Sequence, residues 1–391
     1  MKNTDSKTHV FTSCNNCYIP KARVLATSIK KFHPELQFHL ILSDTLPAFV
    51  NIEDEPFDSI ILIEELEIPN LKQWVFKHSV VETCTAVKGI AFQEIFKRYE
   101  CDRIIFLDPD TAIFSPLDEL LQQFEHGSIL ITPHQLEPEE SEEAVVDNEI
   151  CFLRHGVFNL GFLGVKNSPQ GREFLNWWSK RCLDFCYDDT ANGLFTDQRW
   201  IDLVPSFYDQ VIILRNPAYN VANWNLTNRN LTGNLQEGVF VNGIPLSFYH
   251  FSSSQIIMQE KHKVINSVVS LLLDWYQQQC EQMGQSEFKS LPCHYNFFDN
   301  GELIPLQSRI RYRCDRDLQK YFPHPFDSSN LDRSYFHWYR QQESINQALD
   351  KSQKNPEYYR SIIASMETSK FWKMRKIWFG FKKFLGFNTE D

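Results

Sequence analysis

Short blocks of apolar residues alternate with amphipathic stretches along the first part of the chain. The apolar blocks predict strands, and stretches with apolar residues three and four positions apart predict helices. The predicted strands lie at residues 9–12, 38–42, 59–63 and 103–107, and the predicted helices at 18–29 and 81–99. This alternation predicts an α/β fold with a mostly parallel sheet flanked by helices, whose ligands bind at the carboxyl ends of the strands.

The pattern changes along the rest of the chain. An acidic stretch at residues 137–143 predicts a solvent-exposed loop. Further strands are predicted at 156–165, 211–214 and 246–251, with a helix around Trp177, and past residue 256 the pattern becomes largely helical. We therefore predict an α/β domain over residues 1–255, a largely helical C-terminal region over 256–369 and a tail over 370–391.

Charge narrows the classes of partner. The 391 residues include 39 Lys and Arg against 50 Asp and Glu, a net charge of −11, so nucleic acid is not an expected partner. The sequence shows neither an N-terminal export signal nor an apolar segment long enough to cross a bilayer. These features lead us to expect a cytoplasmic protein with reduced cysteines.

The tail reverses the sign of the chain's charge. Residues 370–387 hold six Lys and Arg interleaved with Phe and Trp, and no acid. This composition is typical of a helix that lies in a membrane interface, so we expect peripheral binding to the inner face of the membrane. Docking of the tail on the body of the protein or on a partner helix is the alternative.

The clearest candidate chemistry follows the predicted strand at residues 103–107. Asp108 and Asp110 stand one residue apart directly after this apolar run, so both carboxylates can reach the same volume beyond the sheet edge. Oxygen ligands suit Mn²⁺ or Mg²⁺, and a bound cation offsets the repulsion between two close carboxylates. A plain turn is the alternative, because Asp-Pro-Asp is also favourable turn sequence.

Five short motifs occur in order between residues 9 and 254. They are FTSCNNCY at 11–18, LDPD at 107–110, FNLG at 158–161, TDQ at 196–198 and YHFS at 249–252. Their order resembles that of GT-A fold glycosyltransferases, which have a Rossmann-like mixed sheet and a DxD motif. It is most similar to bacterial family 8-like enzymes that use nucleotide sugars.

The resemblance implies a role for each matching residue. Asp108, Asp110 and His250 would hold Mn²⁺ or Mg²⁺. The other implied donor-binding positions are Thr12 and Tyr18 at the nucleobase, Lys88 near the phosphates, and Asp108, Asn159 and Gly161 at the ribose and sugar. Asp197 would bind donor-sugar hydroxyls, and Gln198 would lie beside the reacting carbon. Asn220 belongs to a segment rich in amides and aromatic rings, which suits sugar recognition.

Most of these residues also have an ordinary structural interpretation. His250 would be a core histidine, Tyr18 a packing residue at a helix start and Lys88 a solvated lysine. Gly161 would mark a β-bulge, and Thr196 or Asp197 would be a helix N-cap. Residues 219–225 would be a hydrogen-bonded polar loop.

The sequence thus predicts a metal-dependent, retaining hexosyltransferase. The donor would be a nucleotide sugar, a UDP-sugar by preference, and the acceptor a glycan or lipid-linked molecule in cell-surface polysaccharide or glycolipid assembly. One rival is a nucleotidyltransferase of similar fold, which would begin with a Gly-rich basic loop that residues 11–24 lack. Another is a non-catalytic carbohydrate-binding protein, whose melting temperature neither nucleotide nor Mn²⁺ would change.

Overall fold

The computed structural model describes residues 7–252, 267–331 and 333–353. The chain divides into two compact units, Met1–Arg316 and Asp317–Asp391. The predicted domain limits at residues 255 and 369, and the predicted tail at 370–391, lie outside the described residues. None of the helices in the described ranges is long and apolar enough to cross a bilayer.

The strands of the described residues, numbered in chain order, are mostly short. They are β1 Thr8–Cys14, β2 Gln37–Leu42, β3 Ser59–Leu62, β4 Arg103–Leu107, β5 Thr111–Ile113, β6 Ile129–Pro133, β7 Phe158–Lys166, β8 Asp188–Asp189, β9 Leu194–Phe195, β10 Val211–Ile213, β11 Leu231–Asn234, β12 Gly238–Val241, β13 Ile244–Pro245 and β14 Phe248–His250.

The α-helices of the described residues follow the same convention. They are α1 Ile19–Phe32, α2 Leu71–Phe76, α3 Val80–Ala86, α4 Lys88–Arg98, α5 Asp118–Gln122, α6 Glu142–Ala144, α7 Ile150–His155, α8 Pro169–Phe185, α9 Val204–Phe207, α10 Ser267–Gln282, α11 Gln285–Phe288, α12 Leu306–Cys314, α13 Arg316–Tyr321 and α14 Tyr335–Gln353. A π-helical turn, Val145–Glu149, joins α6 to α7.

The main sheet has seven strands in the order β10-β6-β7-β4-β1-β2-β3. Its neighbours pair in parallel except at β7, which is antiparallel to both β4 and β6. The predicted α/β fold, with a mixed, mostly parallel sheet flanked by helices and a largely helical C-terminal region, is therefore confirmed. Because β1 and β4 lie side by side and point the same way, their carboxyl ends meet at one edge.

Helices cover both faces of the sheet, since successive side chains of a strand point to opposite faces. Val10 of β1 belongs to an apolar cluster with Leu25 of α1. Phe11 instead packs edge-on against Phe92 of α4, with ring centroids 4.8 Å apart. Helix α8 contacts α4, and α10 contacts α1 and β11. This packing fixes the sheet edge on which the candidate site stands.

Two local predictions differ from the structure. The predicted helix at 81–99 is divided into α3 and α4, because the backbone at Val87 has ψ −13°, off the α-helical value of about −42°. The acidic stretch at 137–143 is largely exposed, as predicted, but it is not all loop, because α6 begins within it. Glu139 also accepts hydrogen bonds from Asn148 and from Thr227, which lies 88 positions along the chain.

A buried pair of histidines predicts a pH dependence of stability. His39 of β2 is 1% exposed, and its ring lies 2.9 Å from His9 and 2.7 Å from the Ser59 hydroxyl. Burial, followed by the nearby His9, lowers the pKa of His39 to about 3, while Asp58 and Lys30 act in opposite directions. The unfolded chain therefore binds a proton below pH 6.5 that the folded chain does not bind until about pH 3.

We expect His39 to lower the free energy of unfolding by roughly 1.4 kcal/mol for each pH unit below 6.5. His39→Gln should remove this part of the slope, whereas the exposed His126→Gln should leave it unchanged. Urea denaturation at pH 7 and pH 5 measures the difference. An equal pH slope in His39→Gln and the unmodified protein would contradict the assignment.

Candidate functional site

The candidate metal centre lies at the end of β4 and at the end of β14, a strand that lies far along the chain. Asp108 and Asp110 follow Leu107, where the Asp108 N–H donates to the Gly161 carbonyl over 3.0 Å. Strand β5, which begins directly after Asp110, pairs with β14 so that Thr111 lies opposite His250. This pairing brings His250 to the two carboxylates from about 140 positions further along the chain.

The three side chains present their ligand atoms to one small volume. His250 Nε2 lies 3.1 Å from Asp110 Oδ1 and 3.7 Å from Asp108 Oδ2. All three ligand atoms lie within 4.8 Å of one another. Among the described residues, this is the only group of three or more His, Cys, Asp or Glu side chains that lie close enough together to hold a metal ion. Two carboxylate oxygens and an imidazole nitrogen fit a divalent cation such as Mn²⁺.

The charges of this cluster are strongly interdependent. Burial disfavours the charged form of His250, but Asp110 and then Asp108 outweigh it, so the pKa of His250 is raised. For Asp110, burial is likewise outweighed by His250, and its pKa is lowered. Burial dominates at Asp108, whose pKa is raised despite Lys88 and His250. The cluster thus resembles an ion pair beside a second, desolvated carboxylate.

Lys88 joins the cluster to a third carboxylate. It is the first residue of α4, is 3% exposed, and places Nζ 3.2 Å from Asp108 Oδ1 and 3.0 Å from Asp197 Oδ2. Burial opposes its charge, but Asp108 and Asp197 outweigh burial and raise the pKa of Lys88. Lys88 is therefore a buried cation and not the solvated lysine of the alternative interpretation.

The segment that carries Asp197 and Gln198 is held in an unusual conformation. Thr196 has φ +45°, a region that β-branched residues rarely occupy, and its hydroxyl donates to Asp197 over 3.1 Å. Strain of this kind concentrates at functional sites. Because the Asp197 carboxylate lies against Lys88, it does not serve as the helix N-cap of the alternative interpretation.

Backbone groups fix the orientation of the Gln198 amide. Its Oε1 accepts from the Leu160 N–H over 3.1 Å, and its Nε2 donates to the His155 carbonyl over 3.1 Å. Asn159 donates to the same Oε1 over 3.3 Å, and the Asn220 amide donates to Asn159 Oδ1 over 2.9 Å. Gln198 therefore links α7 to β7, and Asn220 supports it through Asn159.

A cavity of about 710 Å³ opens onto these residues. Its lining includes eight of the predicted site residues: Tyr18, Lys88, Asp108, Asp110, Asn159, Asp197, Gln198 and His250. Gly161 and Asn220 lie behind the lining, in contact with His250 and Asn159 respectively. Thr12 is fully buried and lies outside the lining, because β1 continues to Cys14 and the lining begins at Ser13.

Sequence reasoning missed two rings in an aromatic wall of this cavity, His134 and Phe152, whereas the third, Trp224, lies in the segment already expected to suit sugar recognition. His134 stacks on Phe152 with ring centroids 4.7 Å apart, and Trp224 meets the rings of both His134 and His250 edge-on. His134 directly follows the end of β6, so its strand-end position was an available signal. Phe152 had none, because it lies on α7, beyond the acidic stretch. These rings offer apolar surface on which a sugar can pack.

Gly161 gives the site a testable steric requirement. A Cβ added there would lie 2.4 Å from His250 Nδ1 and 2.7 Å from Asn159 Oδ1. We expect Gly161→Ala to displace His250 and to weaken Mn²⁺ binding roughly 10- to 100-fold, as for other disturbances of a ligand's support. Gly164→Ala is the matched control, because its Cβ would meet Phe124 instead. Equal Mn²⁺ affinity in the two variants, measured by calorimetry, would contradict this role.

Comparisons of the sequence with known proteins give distant relatives. No protein-family model matches the chain. Uncharacterized protein YfnF of Bacillus subtilis (strain 168) is 26% identical over 186 residues, which cover 47% of this chain and 61% of YfnF, so the chain spans less than two thirds of that relative. Uncharacterized protein YfnD of the same strain is 23% identical over 258 residues, which cover 65% of this chain and 80% of YfnD.

Solved structures similar to this one include three glycosyltransferases. The galactosyltransferase LgtC in complex with donor and acceptor sugar analogs is 15% identical with a TM-score of 0.44, covering 73% of this chain and 97% of LgtC. Mouse xyloside xylosyltransferase 1 is 15% identical with a TM-score of 0.39, covering 64% and 99%. Glycosyltransferase GlyE of Streptococcus pneumoniae TIGR4 is 14% identical with a TM-score of 0.38, covering 75% and 67%. Likeness at this level carries no conclusion about activity.

Proposed function

We propose that this protein is a GT-A type glycosyltransferase that uses a divalent cation to transfer a sugar from a nucleotide sugar to an acceptor. The observation that carries the proposal is the Asp108, Asp110 and His250 cluster at the edge of a 710 Å³ cavity. A cation held there would stabilise the negative charge that develops on a diphosphate leaving group. Mn²⁺ or Mg²⁺ fits the ligand set.

The charge of the cavity supports a need for the cation. Five aspartates, 108, 110, 147, 188 and 197, lie among the described lining residues, whereas Lys88 is the one lysine or arginine among them. Lys88 is already shared between Asp108 and Asp197. A nucleoside diphosphate would therefore meet a net negative surface, which a divalent cation would offset.

The remaining residues have positioning roles in this proposal. Lys88 holds Asp108 and Asp197 at fixed places, so Asp197 can accept hydrogen bonds from donor-sugar hydroxyls. The backbone contacts of Gln198 keep its amide at the cavity surface, where it would lie beside the reacting carbon. Tyr18 lines the same cavity and would contact the nucleobase, and Trp224 offers a ring to the sugar.

A panel of nucleotide sugars with and without Mn²⁺ tests the proposed function. We expect one donor, a UDP-sugar by preference, to raise the melting temperature only when Mn²⁺ is present, since a ligand that binds the folded state alone stabilises it. Slow hydrolysis of that donor would identify the reaction. No response to any nucleotide sugar with Mn²⁺ would instead favour a non-catalytic carbohydrate-binding protein.

We expect the reaction to retain the anomeric configuration of the donor. Asp108 and Asp110 belong to the cation cluster and Asp197 is paired with Lys88, so none of them is free to act as the base of an inverting reaction. The departing phosphate oxygen would then accept the proton of the attacking hydroxyl. Proton NMR of the first product measures the configuration. An inverted product would contradict retention and would direct attention to Asp147 or Asp188 as the base.

The acceptor and the location belong to the same proposal. We propose a glycan or lipid-linked acceptor in cell-surface polysaccharide or glycolipid assembly, and a cytoplasmic protein held on the inner face of the membrane by the basic, aromatic tail at 370–391. Vesicle sedimentation of the full chain and of a chain ending at residue 369 tests the last point. Equal binding of both to anionic vesicles would exclude the tail as the anchor.

A further inference from the structure

A second cavity, of about 220 Å³, shares no lining residue with the 710 Å³ cavity at the candidate site, here called the donor cavity. Its lining includes Arg215, Arg229, Gln135, Asn228, Asn242 and Glu137. Gln135 directly follows His134, which lines the donor cavity. The two cavities are thus separated by the chain that forms the donor cavity's aromatic wall. The polar character of the smaller cavity calls for a polar occupant.

Arg229 is a buried cation with no counter-charge among the described residues. It is 5% exposed, and its Nη1 donates to the Tyr219 carbonyl over 2.9 Å. No carboxylate of the described residues lies within 4 Å of it, and burial lowers its pKa to about 10. A desolvated charge without a partner is costly, so an anion that enters the cavity would gain a strong interaction.

Gln135 is a second, independent sign of a ligand. Both side-chain amide atoms are buried, and neither has a hydrogen-bond partner among the described residues. Buried amides in native proteins are nearly always paired. Gln135 lines the same cavity as Arg229, so a bound group with oxygen atoms would offer the Gln135 amide the partner that it lacks. Arg215 adds a further guanidinium at this cavity, and it is exposed.

We propose that this cavity binds a small oxyanion, a phosphate or a carboxylate group, held by Arg229, Arg215 and Gln135. Guanidinium groups suit both groups because their parallel N–H donors match paired oxygens. A volume of about 220 Å³ admits such a group but not a nucleotide. Glu137 also lines the cavity, but it is exposed to solvent, so its repulsion is screened.

The position of Arg229 gives the bound anion a regulatory consequence. The Tyr219 carbonyl that Arg229 holds belongs to the segment that carries Asn220 and Trp224. Asn220 supports Asn159 in the donor site, and Trp224 meets the ring of His250. An anion that fixes Arg229 would therefore also fix this segment. Binding at the two cavities is then coupled, and each ligand changes the affinity of the other by the same factor.

Inorganic phosphate and acetate are the probes, each compared with chloride at equal pH and ionic strength, on protein first treated with EDTA and then dialysed free of it. We expect phosphate, acetate or both to raise the melting temperature and to give a measurable affinity by calorimetry. The anion that responds identifies the source of the oxyanion. Arg229→Gln and Gln135→Leu should abolish the effect. Arg215→Gln, at an exposed position where folding is unaffected, should weaken binding roughly tenfold, as for loss of a charge-assisted hydrogen bond.

Arg172→Gln is the matched control, because it removes the same charge from the exposed surface of α8. It should leave the response unchanged. The proposal is overturned if neither anion has an effect beyond that of chloride. It is also overturned if Arg215→Gln and Gln135→Leu keep the full affinity, since the anion would then bind elsewhere, including the donor cavity. Neither outcome depends on whether the protein transfers a sugar.

Discussion

Asp110→Asn should abolish sugar transfer while leaving the protein folded. The substitution removes the charge of a proposed cation ligand that lies 3.1 Å from His250, and loss of such a ligand is worth several kcal/mol of transition-state stabilisation. We expect the turnover to fall by roughly 10³-fold or more. The measurement is the rate of donor consumption at saturating Mn²⁺, for the unmodified protein and the variant.

Stability separates loss of chemistry from loss of fold in this experiment. The asparagine can still accept a hydrogen bond from His250, and Asp108 remains 3.7 Å from the imidazole as a counter-charge. The free energy of unfolding should therefore change by only about 1 kcal/mol. Asp184→Asn, at an exposed position on α8, is the matched control and should keep full turnover. Turnover in Asp110→Asn close to that of the unmodified protein would show that the cluster holds no catalytic cation.

Lys88→Met should be among the most destabilising single substitutions in the chain. It removes a 3% exposed cation and leaves Asp197, which is 2% exposed, without its partner. Breaking a buried ion pair by removing one member costs about 3–5 kcal/mol. Denaturant unfolding measures this loss. Lys97→Met is the control, because Lys97 pairs with Glu67 and Glu94 but is largely exposed, and its loss should leave the free energy of unfolding nearly unchanged.

A second substitution tests whether the cost comes from the unpaired carboxylate. Lys88→Met combined with Asp197→Asn should recover at least about 1 kcal/mol relative to Lys88→Met alone, since the buried negative charge is then removed as well. The coupling energy is obtained from the two single variants and the double variant. Strict additivity of the two single effects would mean that Lys88 and Asp197 do not stabilise each other.

The sequence sufficed for the parts of the site that depend on local pattern. The apolar run of β4 predicted where Asp108 and Asp110 stand, because the end of a buried strand is a local feature. His250 could not be placed from local pattern, since its position depends on the pairing of β14 with β5. Its assignment came from the resemblance of motif order, and the register of that pair brings His250 beside the two carboxylates.

Long-range contacts decide the local structure at two other residues. The resemblance implied a nucleobase contact for Thr12, but the pairing of β1 with β2 continues to Cys14 and leaves Thr12 buried outside the cavity lining. Lys88 has the sequence of an ordinary helical lysine, and its partners Asp108 and Asp197 lie 20 and 109 positions away. Burial of a charge cannot be seen in a sequence until its partners are known.

Electron paramagnetic resonance of Mn²⁺ tests the central claim most directly, because bound ions lose the signal of the free ion. The account predicts that the unmodified protein removes a stoichiometric amount of free Mn²⁺, that UDP tightens this binding, and that Asp110→Asn abolishes it. The Asp184→Asn protein should bind as the unmodified protein does. Two results would contradict the assignment of Asp108, Asp110 and His250 as a metal centre. One is a free Mn²⁺ signal that the protein does not lower, either without UDP or at a fixed UDP concentration. The other is an equal fall of the signal with the Asp110→Asn protein and with the unmodified protein.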